Sequence, residues 1–119
     1  MSLQETRKIS KILSELANYL MRRGYMHFSV SVNRGEHKSE ITLNLPNVKQ
    51  QEMSEMITKV GAQADPEVEM YGWELMGEAG SKDELTVLGM LIKSVNVIET
   101  KDNLMIIFER IPASELKSK

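Results

Sequence analysis

The chain has no cysteine. That excludes disulfides, thiol nucleophiles and thiolate metal sites, and it fits a cytoplasmic setting. Aromatic residues make up only 5%, and no basic strand carries the pair of stacking rings that an RNA-binding sheet uses. Neither sign of charge dominates: 15 basic residues face 17 acidic ones, a formal net charge of −2. No broad field therefore draws in nucleic acid or an anionic membrane, and neither is expected as a partner. No apolar run approaches the ~18 residues of a membrane span. The opening MSLQETRKIS lacks the apolar centre of a secretory leader, so the expected location is the cytoplasm. No serine sits in a G-x-S-x-G elbow, which argues against serine hydrolase chemistry.

What is present is the balance of a folded domain. Over 119 residues the chain is 41% apolar and 27% charged, enough to bury a core without staples. Residues 1–111 are expected to form one domain, with 112–119 a flexible polar tail.

Apolar periodicity orders the elements. Ile9, Ile12, Leu13, Leu16, Leu20 and Met21 recur at helical spacing, predicting an amphipathic helix from about Gln4 to Arg23, stopped by Gly24. Met26, Phe28, Val30 and Val32 then alternate with His27, Ser29 and Ser31. After a turn at Asn33–Glu36 the alternation resumes at Ile41, Leu43 and Leu45, which reads as a hairpin with one buried face. Pro46 breaks it. Asn47 is placed to cap a second helix whose stripe is Met53, Met56, Ile57 and Val60.

Residues 67–76, EVEMYGWELM, fit an extended segment or a helix face. Ser81 and Glu84 form a capping-box pair ahead of a third helix striped by Leu85, Leu88, Leu91, Ile92 and Val95. A closing hairpin follows: Val95, Val97 and Ile98, a turn at Lys101–Asn103, then Leu104, Ile106 and Phe108. The order predicts an α+β two-layer sandwich. About three helices cover one face of a mostly antiparallel, mixed sheet.

Local strings add a resemblance. ELANYLMRRG, Glu15 to Gly24, followed by a hairpin, a helix and the closing VLGMLIKSVNVIETKDNLMIIFER, resembles the ATP-binding domain shared by histidine kinases and the serine kinases that act as anti-sigma factors. In that family the first helix carries Glu, then Asn four residues on, then Gly five later. The Glu is a general base and the Asn a magnesium ligand. Glu15 and Gly24 match, but Tyr19 stands where Asn belongs and Asn18 lies one residue early, about 100° away around the helix. The family's Asp-x-Gly-x-Gly after the second strand is replaced by Leu43–Asn44–Leu45–Pro46–Asn47. Gly77, Gly80 and Gly89 lack G-x-G spacing, and acidic Glu78, Asp83 and Glu84 lie among them.

The resemblance, over residues 5–110, therefore implies the scaffold without its nucleotide signatures. The expectation is a non-catalytic regulatory or protein-interaction domain with no cofactor. Its partner is another protein or a second copy of itself. The alternative is a divergent ATPase or kinase with Glu15 as base.

The remaining candidates each have a plainer reading. Glu15 reads as a solvated helix residue unless the alternative holds. His27 and His37 could approach across the hairpin but lack a third ligand, so solvent exposure is expected. Met70, Tyr71, Trp73 and Leu75 form a candidate partner surface because aromatics and methionine are enriched at interfaces; the same residues would serve equally as core. Glu67, Glu69, Glu74 and Glu78 around them read as a solvated rim. Met53 and Met56 suggest an adaptable core. Arg7, Lys8, Arg22, Arg23 and Lys38 are too scattered for a nucleic-acid footprint.

Overall fold

The computed structural model describes residues 3–61 and 84–112. Their elements run in the order α1 (Leu3–Arg22), β1 (Ser29–Arg34), β2 (Ser39–Pro46), a 3-10 turn (Gln50–Met53) leading into α2 (Ser54–Gly61), α3 (Glu84–Leu91), β3 (Ser94–Glu99) and β4 (Asn103–Arg110). The expected α+β architecture is present. Four strands form one sheet in the order β1-β2-β4-β3, and every described pairing is antiparallel. The anticipated mixed character is not seen among the described residues. No described helix is long and apolar enough to cross a membrane.

Alternation places the core. Register pairs Ile41 with Phe108, Leu43 with Ile106 and Leu45 with Leu104, and all six are fully buried. Val95 and Val97 of β3 extend the same face beside Phe108 and Ile106. Ile12, Leu16 and Leu20 of α1 and Met53, Met56 and Val60 at and within α2 join these strand residues in one buried cluster. At about 25 cal/mol per Å² of apolar area, burying each such side chain contributes roughly 1.5–3 kcal/mol before entropy is counted.

Helix α3 departs from the expected stripe. Leu85, Val87, Leu88, Gly89, Met90 and Leu91 are all buried. The cause is position: α3 packs against both α1 and α2, so it needs apolar residues all round. Val95, assigned above to the third helix as well as to the closing hairpin, lies in β3.

The termini of α1 explain its extent. Gly24 has φ of 91°, a conformation glycine adopts without steric cost. Tyr25 N–H donates to Leu20 O at 3.0 Å and Gly24 N–H to Met21 O at 3.1 Å, the paired bonds of a Schellman stop.

Two local expectations change. The first strand starts at Ser29, and Met26 is 85% exposed, so its alternation with Phe28 is a coincidence of the loop. Asn47 does not cap α2. Its φ is 59° and its N–H donates to Asp102 O at 2.9 Å, tying the end of β2 to the β3–β4 turn. The helical entry is instead at Lys49, whose N–H donates to Glu52 Oε2 at 3.1 Å. The capping pair at Ser81 and the segment 67–76 fall outside the described residues, as does the tail from 113.

Candidate functional site

The C-terminal turns of α1, the middle of α2 and the start of α3 enclose a cleft of about 280 Å³. Helix α1 contributes Tyr19, Arg22 and Arg23, helix α2 Glu55 and Lys59, and helix α3 Glu84 and Leu85. Their meeting follows from the packing order. Because α3 lies between α1 and α2, its first residues form the base of a trough whose walls are the flanking helices.

Two ion pairs span the trough. Arg22 Nη1 donates to Glu84 Oε2, joining α1 to α3. Arg23 Nη1 donates to Glu55 Oε1 at 3.3 Å, joining α1 to α2. Both arginines are on the solvent side, so each pair contributes on the order of 0–1 kcal/mol. Arg22 in the last turn of α1 and Glu84 in the first turn of α3 also sit at favourable ends of their helix dipoles.

Tyr19 forms the inner wall. It is only 6% exposed, and the Arg23 guanidinium lies 5.0 Å from its ring centroid, within cation–π range. Its hydroxyl is buried and has no hydrogen-bond partner among the described residues. Burial raises its pKa. Arg23 opposes the shift, and the Glu55 and Glu84 carboxylates add to it. The group stays a neutral O–H at physiological pH.

Glu15 is placed differently from expectation. It is 7% exposed rather than solvated, because α1 is covered by the sheet below and by α3 alongside. Its carboxylate pairs with Lys11 Nζ at 2.9 Å, one turn back. It is not among the residues lining the cleft; Tyr19, one turn nearer the helix end, is. Gly89 is buried within α3.

His27 and His37 are both exposed, as expected. Among the described residues, no group of three or more histidine, aspartate or glutamate side chains stands close enough to share a metal ion. Met70, Tyr71, Trp73 and Leu75, with Glu67, Glu69, Glu74 and Glu78, lie outside the described residues. The basic residues divide. Arg7 is exposed, Lys8 is buried, and Lys38 pairs with Glu109 at 3.1 Å at the far end of the sheet. Arg22 and Arg23, however, are joined by Lys59. That grouping was not legible from spacing, since Lys59 comes from another helix. The Lys11–Glu15 pair did leave a signal, the i,i+4 spacing of opposite charges.

Comparison of the chain with known protein families, with curated proteins and with solved structures finds no match.

Proposed function

We propose that the chain is a non-catalytic regulatory or protein-interaction domain on a histidine-kinase-like scaffold whose nucleotide-binding motifs have been lost. It acts on another protein or on a second copy of itself. One observation carries this reading. The carboxylate that would serve as base, Glu15, is buried against Lys11 and away from the cleft. The position that would hold magnesium is occupied by Tyr19, a neutral side chain that fills the inner wall. A buried phenol is a poor magnesium ligand, since that ion takes carboxylates, phosphates and water. The ion pairs across the trough support the same reading, because they set the protein's own carboxylates where phosphates would need to enter.

A thermal-shift titration with Mg-ATP and Mg-ADP tests it. A ligand at about 100-fold its dissociation constant adds ~2.7 kcal/mol of stability, and no upward shift is expected from either nucleotide. A clear shift that Glu15→Ala removes contradicts the reading in favour of a divergent ATPase. Sedimentation velocity then separates the two partner classes: a dimer assigns a second copy, a monomer a different protein.

A further inference from the structure

We propose that the chain forms a two-fold dimer in which β1 pairs antiparallel with β1 of a second copy and the uncharged side of α1 packs against its counterpart. The inference rests on the reading above, in its second-copy branch, and supplies the surface.

Exposed apolar side chains mark the place. Among the described residues, the large apolar side chains that stand exposed are Leu3, Met21, Met26, Val32 and Ile98. Four of the five belong to α1, β1 or the loop between them. Ile98 stands on β3, at the opposite edge of the sheet, where Glu99 follows it and α2 lies alongside.

The charge on α1 marks the same side. Leu3, Thr6, Ser10, Leu13, Ala17 and Met21 fall within an arc of about 80° at ~3.6 residues per turn, and none of them is buried. Every charged residue of α1 lies outside that arc. A helix face left to solvent ordinarily carries charge, whereas the centre of a protein interface is depleted of it. The arc looks toward β1: Arg34, the last residue of that strand, donates from Nη1 to Thr6 Oγ1 at 3.0 Å.

Strand β1 completes the surface. Among the described residues it pairs only with β2. Its other edge therefore presents N–H and C=O groups as a template for a further strand. Natural edges are guarded by charge, proline or a bulge. Residues 29–33 carry neither charge nor proline, their register with β2 has no break, and all but Val30 are exposed.

The strand's own sequence is the partner that fits. A two-fold axis at Ser31 sets Val30 opposite the partner's Val32 and Ser29 opposite the partner's Asn33, apolar against apolar and polar against polar. The contact is isologous, so it closes at two copies. Size agrees. The 20 residues of α1 span about 30 Å, and a helix layer over a sheet layer stands about 20 Å high. Each copy thus offers about 600 Å² and the pair about 1,200 Å², above the ~1,000 Å² that a specific interface needs.

The test is sedimentation velocity of the full chain over a dilution series, with circular dichroism to show that each variant is folded. The parent is expected to sediment as a dimer that dissociates on dilution. Ser31→Lys and Ser31→Glu, at an exposed position, each set like charges opposite one another at the axis and should weaken association about tenfold or more. Ser10→Glu on the α1 arc should weaken it likewise. Mixing the two Ser31 variants is expected to restore the dimer, because the charges facing each other are then opposite. Ile98→Lys, on the far edge, is expected to associate like the parent. A parent that stays monomeric at every concentration overturns the pairing. So does association left unchanged by the Ser31 and Ser10 variants, a mixture that fails to recover, or a dimer lost only in Ile98→Lys. The regulatory reading fails instead on the nucleotide titration, so the two failures are told apart.

Discussion

Arg110, the last residue of β4 and buried on the same face as Phe108, grips Glu5 of α1 through a two-point fork. Its Nε donates to Glu5 Oε2 and its Nη2 to Glu5 Oε1, both at 2.8 Å, across 105 positions of sequence. Its Nη1 donates to the Leu91 carbonyl at 2.8 Å, so one fully buried guanidinium joins the start of α1, the end of α3 and the end of β4. At the other end of the same helix pair, Arg22 meets Glu84. Helices α1 and α3 therefore run antiparallel and are tied at both ends, but only the Arg110 tie is buried.

Burial decides the relative weight of the two ties. Removing one partner of a buried pair leaves the other desolvated and costs about 3–5 kcal/mol, whereas exposed pairs contribute on the order of 0–1 kcal/mol. Glu5→Ala is expected to lower the unfolding free energy by about 3 kcal/mol or more in urea denaturation. Arg22→Gln is expected to lower it by less than about 1 kcal/mol. Replacing Glu5 and Arg110 together by Leu and Met should recover most of the first loss, since a buried pair exchanges for apolar residues at little net cost. Equal losses from Glu5→Ala and Arg22→Gln would contradict this ranking.

The Tyr19 hydroxyl makes the opposite kind of prediction. Because it is buried without a hydrogen-bond partner among the described residues, Tyr19→Phe removes a desolvated polar atom and keeps the ring stacked under Arg23. The variant should be as stable as the parent or more stable, by up to about 1 kcal/mol. Thermal unfolding monitored by circular dichroism checks this. A loss exceeding about 1 kcal/mol would mean that the hydroxyl has a strong partner in the folded chain.

The first hairpin turn depends on a missing side chain. Gly35 N–H donates to Lys38 O at 2.9 Å, and a Cβ at Gly35 would stand 2.7 Å from that oxygen. Gly35→Ala must open the turn, with a cost of about 1–3 kcal/mol typical of overpacking. Chemical denaturation gives the number. The amides of Arg34 and Ser39 should also exchange faster in the variant. Unchanged stability and exchange would show that the turn relaxes freely.

A pH dependence follows from Glu52. Its carboxylate accepts from the Lys49 backbone N–H, the larger influence, and from the Tyr25 hydroxyl at 2.9 Å, and both hold its pKa below the usual carboxylate range. A folded-state pKa below the unfolded value means that this contribution is complete above the ordinary glutamate value, about 4.3. It is lost as pH falls through the folded value. Tyr25 shifts the other way, raised first by burial and then by its bond to Glu52. Its contribution is complete below the ordinary tyrosine pKa of about 10 and fades as pH rises through the folded value. Glu52→Gln should flatten the acid limb of a stability–pH curve. An unchanged acid limb would show that Glu52 titrates alike in both states.

The sequence carried the frame of the fold further than its site. The stripe of α1 apart from exposed Met21, and the alternation of the two central strands β2 and β4, were legible because each is local, with spacing near 3.6 or 2 mapping onto burial, whereas Val32 and Ile98 on the edge strands β1 and β3 are exposed. Met26 continued the alternation on paper but sits in a loop, since spacing says nothing of where pairing begins. The all-round burial of α3 was hidden for a different reason. It depends on α1 and α2 flanking that helix, which no window of eight residues records. Arg110 had a legible half, a charge on the same parity as Leu104, Ile106 and Phe108. Its partner Glu5, at the opposite end of the chain, had none. The trough was the least legible feature, because its lining comes from three separated helices and exists only once they pack.

On the reading proposed above, Glu15 is not a catalytic base. Magnesium-dependent ATP hydrolysis by the folded chain, compared with its Glu15→Ala variant, tests that most directly. Phosphate release at the buffer rate from both proteins is the predicted result. Turnover that requires magnesium and disappears with Glu15 would contradict it.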